Sequence, residues 1–326
     1  MTTNPEPETR NSELKNRGAI RSFLELARPA NVVTAWADIL AGIAIVIGVG
    51  HDIALEQGNN LFWLGEKLSS FGLFPAVGWL ILATTGLYAG GVVLNDVFDA
   101  ELDAVERPER AIPSGRVSRI NAQIFGTMLL LLGVFSAFQV SQISGGIALS
   151  VGMLAVLYDR YSKHHTLLGP LNMGLCRAGN LMLGMSILPE FMMWPLAVIP
   201  LIYIGAITAV SQGEVHGGEK KTGTLAVGLV LLIVLGLVAL MATDLPRLFS
   251  GIGFLLLFTW LVLPSFLRAA KKPEAANVRR AVRAGIMGLI PLNAAIAAGA
   301  AGWIIGIVIL LLLPISIMLA RMFAVT

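Results

Sequence analysis

Ten stretches of this chain are long and apolar enough to cross a lipid bilayer, and that constrains everything else. A spanning helix needs about 20 mostly apolar residues. Such stretches lie near 31–50, 74–94, 119–140, 143–158, 167–188, 194–211, 224–241, 248–267, 281–300 and 302–321. Taken as one helix, 281–321 would run roughly 60 Å, about twice the hydrocarbon thickness. A break is therefore predicted near "GAAGW" (299–303). Only 13% of residues are charged, where a soluble domain has about 25%. The reading is an all-α, polytopic membrane bundle of nine to ten helices, with no soluble domain between spans.

The basic residues set an orientation. With the N-terminus in the cytoplasm, alternating loops place twenty of the twenty-three Lys and Arg on the cytoplasmic side. Only Lys67 and Arg247 fall in outer loops, and Arg177 falls inside a span. Positive charge retained on the inner side is the expected bias. A multi-pass protein of the cytoplasmic (inner) membrane follows. Residues 1–20 read as a disordered cytoplasmic tail, and 21–326 as the membrane domain. No apolar core with a cleavage site opens the chain, so no cleaved signal is expected. The single cysteine, Cys176, excludes an internal disulfide and a cysteine-rich metal site. A net charge of +3, spread along the chain, gives no basis for nucleic-acid binding.

Against this background "NDVFDAELDAVERPERAIPSG" (95–115) stands out, because it gathers acids directly after an uncharged span. Asp96, Asp99 and Asp103 are spaced i, i+3, i+7 and share one helix face. Like charges so placed repel, so something cationic must neutralise them. Hard divalent cations favour carboxylate oxygen, and Mg²⁺ commonly joins one or two carboxylates to substrate phosphates. The bland alternative is a solvated helix whose acids pair with Arg107 and Arg110.

The order of residues here resembles the UbiA family of intramembrane prenyltransferases, whose first motif is Asn-Asp-x-x-Asp-x-x-x-Asp. Asn95, Asp96, Asp99 and Asp103 fit its fixed positions. "RPERAIPSGRVS" (107–118) resembles the continuation in the branch that makes archaeal glycerol-ether lipids. "YDRYSKHHTLLGPLNMGLCRAGNLMLG" (158–184) is similar to the family's stretch between spans four and five. "RPANVVTAWADILAG" and "GEVHGG" look closest to the bacterial subgroup called EboC-like. A second acidic motif belongs after span six, where "GEVHGGEKKTGTLAV" (213–227) retains only Glu214 and Glu219. Gly213, Gly217 and Gly218 argue for a flexible loop there.

The resemblance implies helices around a central cavity, and transfer of an isoprenyl group from a prenyl diphosphate (geranylgeranyl or farnesyl type) to an unidentified acceptor. It implies Mg²⁺ held by Asp96, Asp99, Asp103, Glu219 and Glu214, with Asn95 positioning the site. Lys163 matches the family's diphosphate-facing lysine; Tyr158 or Tyr161 matches its tyrosine. Arg110, Lys220 and Lys221 are expected to stabilise the departing diphosphate. Within the spans, Asp38 is a functional candidate by default, with Asn31 in acceptor recognition or hydrogen-bonded to Thr34 or a neighbouring helix. Arg177, one turn from Asn180, is expected to face the pocket. Arg28, before Pro29, reads as an interface anchor. Of the four histidines only His216 lies near the expected site. The thinned second motif leaves two alternatives open: a prenyl-diphosphate binder without catalysis, and a secondary transporter.

Overall fold

The computed structural model describes residues 18–56, 72–215 and 217–323. A short helix α1 (Ala19–Ala27) leads into α2 (Pro29–Glu56), and α3 (Leu73–Phe98) runs into α4 (Ala100–Glu106). Then come α5 (Arg119–Phe138), α6 (Gln142–Leu157), a π-helical turn (Tyr158–Ser162) and α7 (Leu168–Met185). The remaining helices are α8 (Val198–Ser211), α9 (Lys220–Met241), α10 (Leu245–Lys271), α11 (Ala275–Ala301), α12 (Trp303–Leu310) and α13 (Leu312–Met322). Most of the expected tail and the outer segment with Lys67 lie outside the described residues, as does His216; residues 19 and 20 are already helical.

The predicted break falls where it was placed. Gly302 has φ +92°, a conformation open to glycine and costly elsewhere. It separates α11 from α12, and α12 and α13 together form the last span. Among the described residues nine helices are long and apolar enough to cross a membrane. The tenth expected span, α7, falls short on that measure although its 18 residues reach about 27 Å. Asn172, Arg177 and Asn180 make it the polar one, and all three are buried. The chain ends support ten crossings: Arg21 donates to Met322 O at 3.4 Å, and Ser316 Oγ donates to Ala30 O at 2.8 Å. The start of the first span and the end of the last thus share one face of the bundle. At the other end, Arg247 pairs with Asp52.

Two helices form the axis of the bundle. Of the most apolar 18 residues, 78% are buried in α2 and 72% in α11, against 17% in the final span. Helix α2 packs against α11 and α7. Its crossing with α7 is a backbone contact: a Cβ on Gly42 would strike the carbonyl of Leu181, and one on Gly184 would strike that of Ile39. This crossing brings Asp38, one turn before Gly42, against Arg177 and Asn180, about one to two turns before Gly184. Ser118 caps α5 by accepting from Asn121 N, and Ser141 caps α6 by accepting from Ser144 N, as N-cap serines do.

Candidate functional site

The acidic motif bends without losing its face. Helix α3 ends at Phe98, and Asp99 is the hinge to α4, yet Asp99 N still bonds Asn95 O (2.9 Å) and Asp103 N bonds Asp99 O (2.8 Å). Arg110 Nη1 lies 2.6 Å from Asp103 Oδ2 and 3.3 Å from Asp96 Oδ1. One guanidinium therefore bridges two acids seven residues apart, which requires the shared face read from spacing. Arg110 gets there through a tight turn, with Arg110 N bonded to Arg107 O at 3.1 Å. Arg116 then fastens the turn to α1, pairing with Glu25 and donating to Glu109 O at 2.9 Å.

Two more cations complete the cluster. Lys163, just past the π-turn, pairs with Asp99. Arg28 lies 2.6 Å from Asp96 Oδ1. This corrects the interface-anchor reading of Arg28. The residue adopts φ +47°, a left-handed conformation uncommon outside glycine. It ends α1 there, and its side chain reaches inward to the acids. Such strain concentrates at functional positions.

Above the cluster opens a cavity of about 330 Å³ between α2, α3, α6, α7, α8 and α11. Its polar mouth is formed by Arg28, Asn95, Tyr158 and Asp159. Asn95 Nδ2 donates to Asp159 Oδ1 at 2.8 Å. Asp159 was not singled out from the sequence, although an acid at the end of an apolar span was signal enough. The π-turn directs it inward, as such insertions often do at functional sites, and Asn172 sits 2.9 Å from Ser162 Oγ at the same turn. Of the two candidate tyrosines, Tyr158 lines the cavity. Tyr161 is 65% exposed and stacks against Arg160 on the outer surface.

The deeper wall carries Asn31, Thr84, Tyr88, Arg177 and Asn180. Behind it Asp38 is fully buried. It accepts from Asn180 Nδ2 (2.9 Å) and Asn293 Nδ2 (2.7 Å), and Arg177 Nε lies 2.5 Å away. Arg177 therefore lines the pocket, as expected, but its partner is Asp38 and not the acidic motif. Asp38 itself does not line the cavity, and Thr34 bonds Asn31 O and Arg177 instead of Asp38.

The second motif contributes less than its sequence position suggests. Glu219, Lys220 and Lys221 are exposed at the start of α9 and do not line the cavity. The loop before them is tied to the segment ahead of α11 by Gly218 N bonded to Pro273 O at 2.8 Å. Glu214 is half-buried, near Arg107, Arg279 and Arg28, and does not line the cavity either. Burial raises its carboxyl above the ordinary 4.5, against the pull of Arg107, Arg279 and Arg28. A carboxyl whose pKa is raised on folding favours the folded state below its unfolded value. That contribution fades as pH climbs through the raised value. Glu214→Gln cannot ionise and keeps it. The melting temperature of the variant relative to the unsubstituted protein is expected to rise from pH 4.5 upward; a difference that shrinks with rising pH would contradict this.

The donor set suits a hard divalent cation: Asp96, Asp99, Asp103 and Asp159 offer only carboxylate oxygens. Among the described residues no three acids already converge on one point. Arg28 and Arg110 pair with Asp96, Arg110 also with Asp103, and Lys163 with Asp99.

Known proteins share sequence and fold with this chain. Residues 41–212 match the model of the UbiA prenyltransferase family. The digeranylgeranylglyceryl phosphate synthase of Methanosarcina mazei is 32% identical over 254 residues, covering 72% of this chain and 82% of that one. The enzyme of the same name from Methanopyrus kandleri is 28% identical over 297 residues, covering 85% of this chain and all of that one. Among solved structures, a digeranylgeranylglyceryl phosphate synthase shares the fold with a TM-score of 0.58 at 19% identity, over 87% of this chain and 99% of that one. A UbiA homolog from Archaeoglobus fulgidus bound to GPP and Mg²⁺ does so with a TM-score of 0.55 at 14% identity, over 89% and 99%.

Proposed function

Because this chain belongs to the UbiA prenyltransferase family, we propose that it moves an isoprenyl group from a geranylgeranyl- or farnesyl-type diphosphate to a hydroxyl-bearing acceptor, with Mg²⁺, at the cytoplasmic face of the membrane. The observation that carries this reading is the cluster of acids and cations at the mouth of an otherwise apolar cavity. A prenyl diphosphate has matching halves, an anionic head and a greasy tail.

Asp96, Asp99 and Asp103 would hold magnesium with Asn95 beside them; Asp159 and Glu214 are close enough to the cluster to join. Magnesium, when bound, supplies positive charge to the diphosphate oxygens and to the leaving group. Arg28, Arg110 and Lys163 orient the diphosphate and stabilise the charge that builds on it as the C1–O bond breaks. Tyr158 forms the wall beside that bond. The apolar walls, among them Leu87, Val151, Ile204 and Ile207, take the chain and keep water from the allylic cation. The hydroxyl oxygen of the acceptor then forms the new C–O bond at C1, and its proton passes to the departing diphosphate. The relatives named as digeranylgeranylglyceryl phosphate synthases support a glycerol-type hydroxyl.

The test uses purified protein in nanodiscs with labelled geranylgeranyl diphosphate and lipid extract as the source of acceptor. Magnesium-dependent release of diphosphate, together with a labelled lipid product, is expected, and a chelator should stop both. Saturable binding with no release under any of these conditions would favour a binder without catalysis.

A further inference from the structure

The inner end of the cavity holds a hydrogen-bond donor with nothing to bond. Arg177 is 5% exposed. Its Nη2 is spent on Thr34 O (2.7 Å) and Thr34 Oγ1 (3.0 Å), and its Nε faces Asp38 in an ion pair without a hydrogen bond. Nη1 has no hydrogen-bond partner among the described residues, and the residue lines the cavity. Its Cζ sits 5.7 Å from the centre of the Tyr88 ring, which fixes the plane of the guanidinium. Nη1 is thus the guanidinium nitrogen left free to meet an oxygen in the cavity.

The donor substrate cannot supply it. Thr34 lies six residues beyond Arg28 along α2, roughly 9 Å from the mouth, and Thr84 lies eleven residues from Asn95 along α3, roughly 16 Å. With the diphosphate held at the mouth, only hydrocarbon of the prenyl chain reaches this depth. A substrate oxygen that meets this donor therefore belongs to the second substrate.

Its charge follows from Asp38. The Asp38 carboxyl faces Arg177, and Asn180 and Asn293 both donate to it, so the inner pole sets an acid directly against the guanidinium. An anion entering here would lose its hydration and find no net charge to replace it. A neutral oxygen needs only the free N–H.

We propose that this inner pole is a receptor for a neutral hydroxyl or carbonyl oxygen of the acceptor, bound by Arg177 Nη1, with Asp38 as the positioning residue that sets both the orientation and the neutrality of the site. The inference rests on the prenyl-transfer reading above and names the acceptor chemistry it left open. It selects against an acceptor whose phosphate must sit at this depth.

The experiment measures binding of 1-O-octylglycerol and of octyl phosphate to the protein in nanodiscs, with the mouth filled by geranylgeranyl thiolodiphosphate. The unsubstituted protein is expected to prefer octylglycerol at least tenfold. Arg177→Gln should weaken octylglycerol tenfold or more. So should the charge-balanced pair Asp38→Asn with Arg177→Gln, which guards against misfolding of the single variant. Asp38→Asn alone leaves a net positive pole and should shift the preference toward octyl phosphate by tenfold or more, a change that a merely structural role would not produce. The proposal is overturned if octylglycerol does not bind, if octyl phosphate is preferred from the start, or if the ratio does not move in Asp38→Asn. Failure of the thiolodiphosphate to bind would instead count against the prenyl-transfer reading, and the octylglycerol comparison is still readable without it.

Discussion

Replacing Asp99 with Asn is expected to lower kcat/KM for prenyl transfer a hundredfold or more, and to move the magnesium dependence to higher concentration. Asp99 is the hinge of the acidic motif, and its carboxylate meets Lys163. Asn keeps the size and one oxygen but loses the charge. Removing one preorganised charged or hydrogen-bonding group at a reacting centre costs on the order of 10²–10³ in rate, and loss of a residue supporting a metal site about 10–100-fold in affinity. Two causes are separable. If Asp99 serves only to neutralise Lys163, then Asp99→Asn with Lys163→Gln restores balance and recovers activity. If Asp99 holds the metal and Lys163 the diphosphate, the double variant is no better than the worse single one. Labelled diphosphate release across a magnesium titration measures both. Asp99→Asn with turnover and magnesium dependence unchanged would remove the motif from the chemistry.

What could be seen in the sequence was what local pattern encodes. Length and apolarity gave the spans, and the 60 Å problem of 281–321 placed the break that Gly302 makes. The i, i+3, i+7 spacing gave the common face that Arg110 now bridges. What stayed hidden depended on contacts far apart in the chain. Arg28 looked like an anchor because nothing in "LARPAN" says that a left-handed turn sends its side chain to Asp96, 68 residues on. Arg177 was expected in the pocket, but its ion pair is with a residue 139 positions earlier, and Asn293 reaches that same Asp38 across 255. Periodicity identifies such a residue as costly in a membrane without naming its partner. The second motif is a different case: Glu219, Lys220 and Lys221 have the right place in the order of the chain, and stand exposed at the start of α9, outside the lining of the cavity.

Asp38→Ala is expected to lower the apparent melting temperature in detergent by about 10 °C. Breaking a buried ion pair from one side costs about 3–5 kcal/mol, at roughly 2–4 °C for each kcal/mol in a chain of this size class. The loss has three parts. Arg177 is left charged at 5% exposure, and the amides of Asn180 and Asn293 lose an acceptor. The crossing of α2 with α7, closed to the backbone at Gly42 and Gly184, cannot collapse further to fill the gap. Asp38→Asn with Arg177→Gln removes both charges together and should return most of the stability. A melting temperature for Asp38→Ala within 2 °C of the unsubstituted protein would show that the pair carries no such energy. The recovery expected of the double variant also bears on why the pair is there. If uncharged residues hold these helices nearly as well, packing alone does not require an aspartate and an arginine in the middle of a membrane. What the uncharged version lacks is the guanidinium that lines the cavity and the acid set against it.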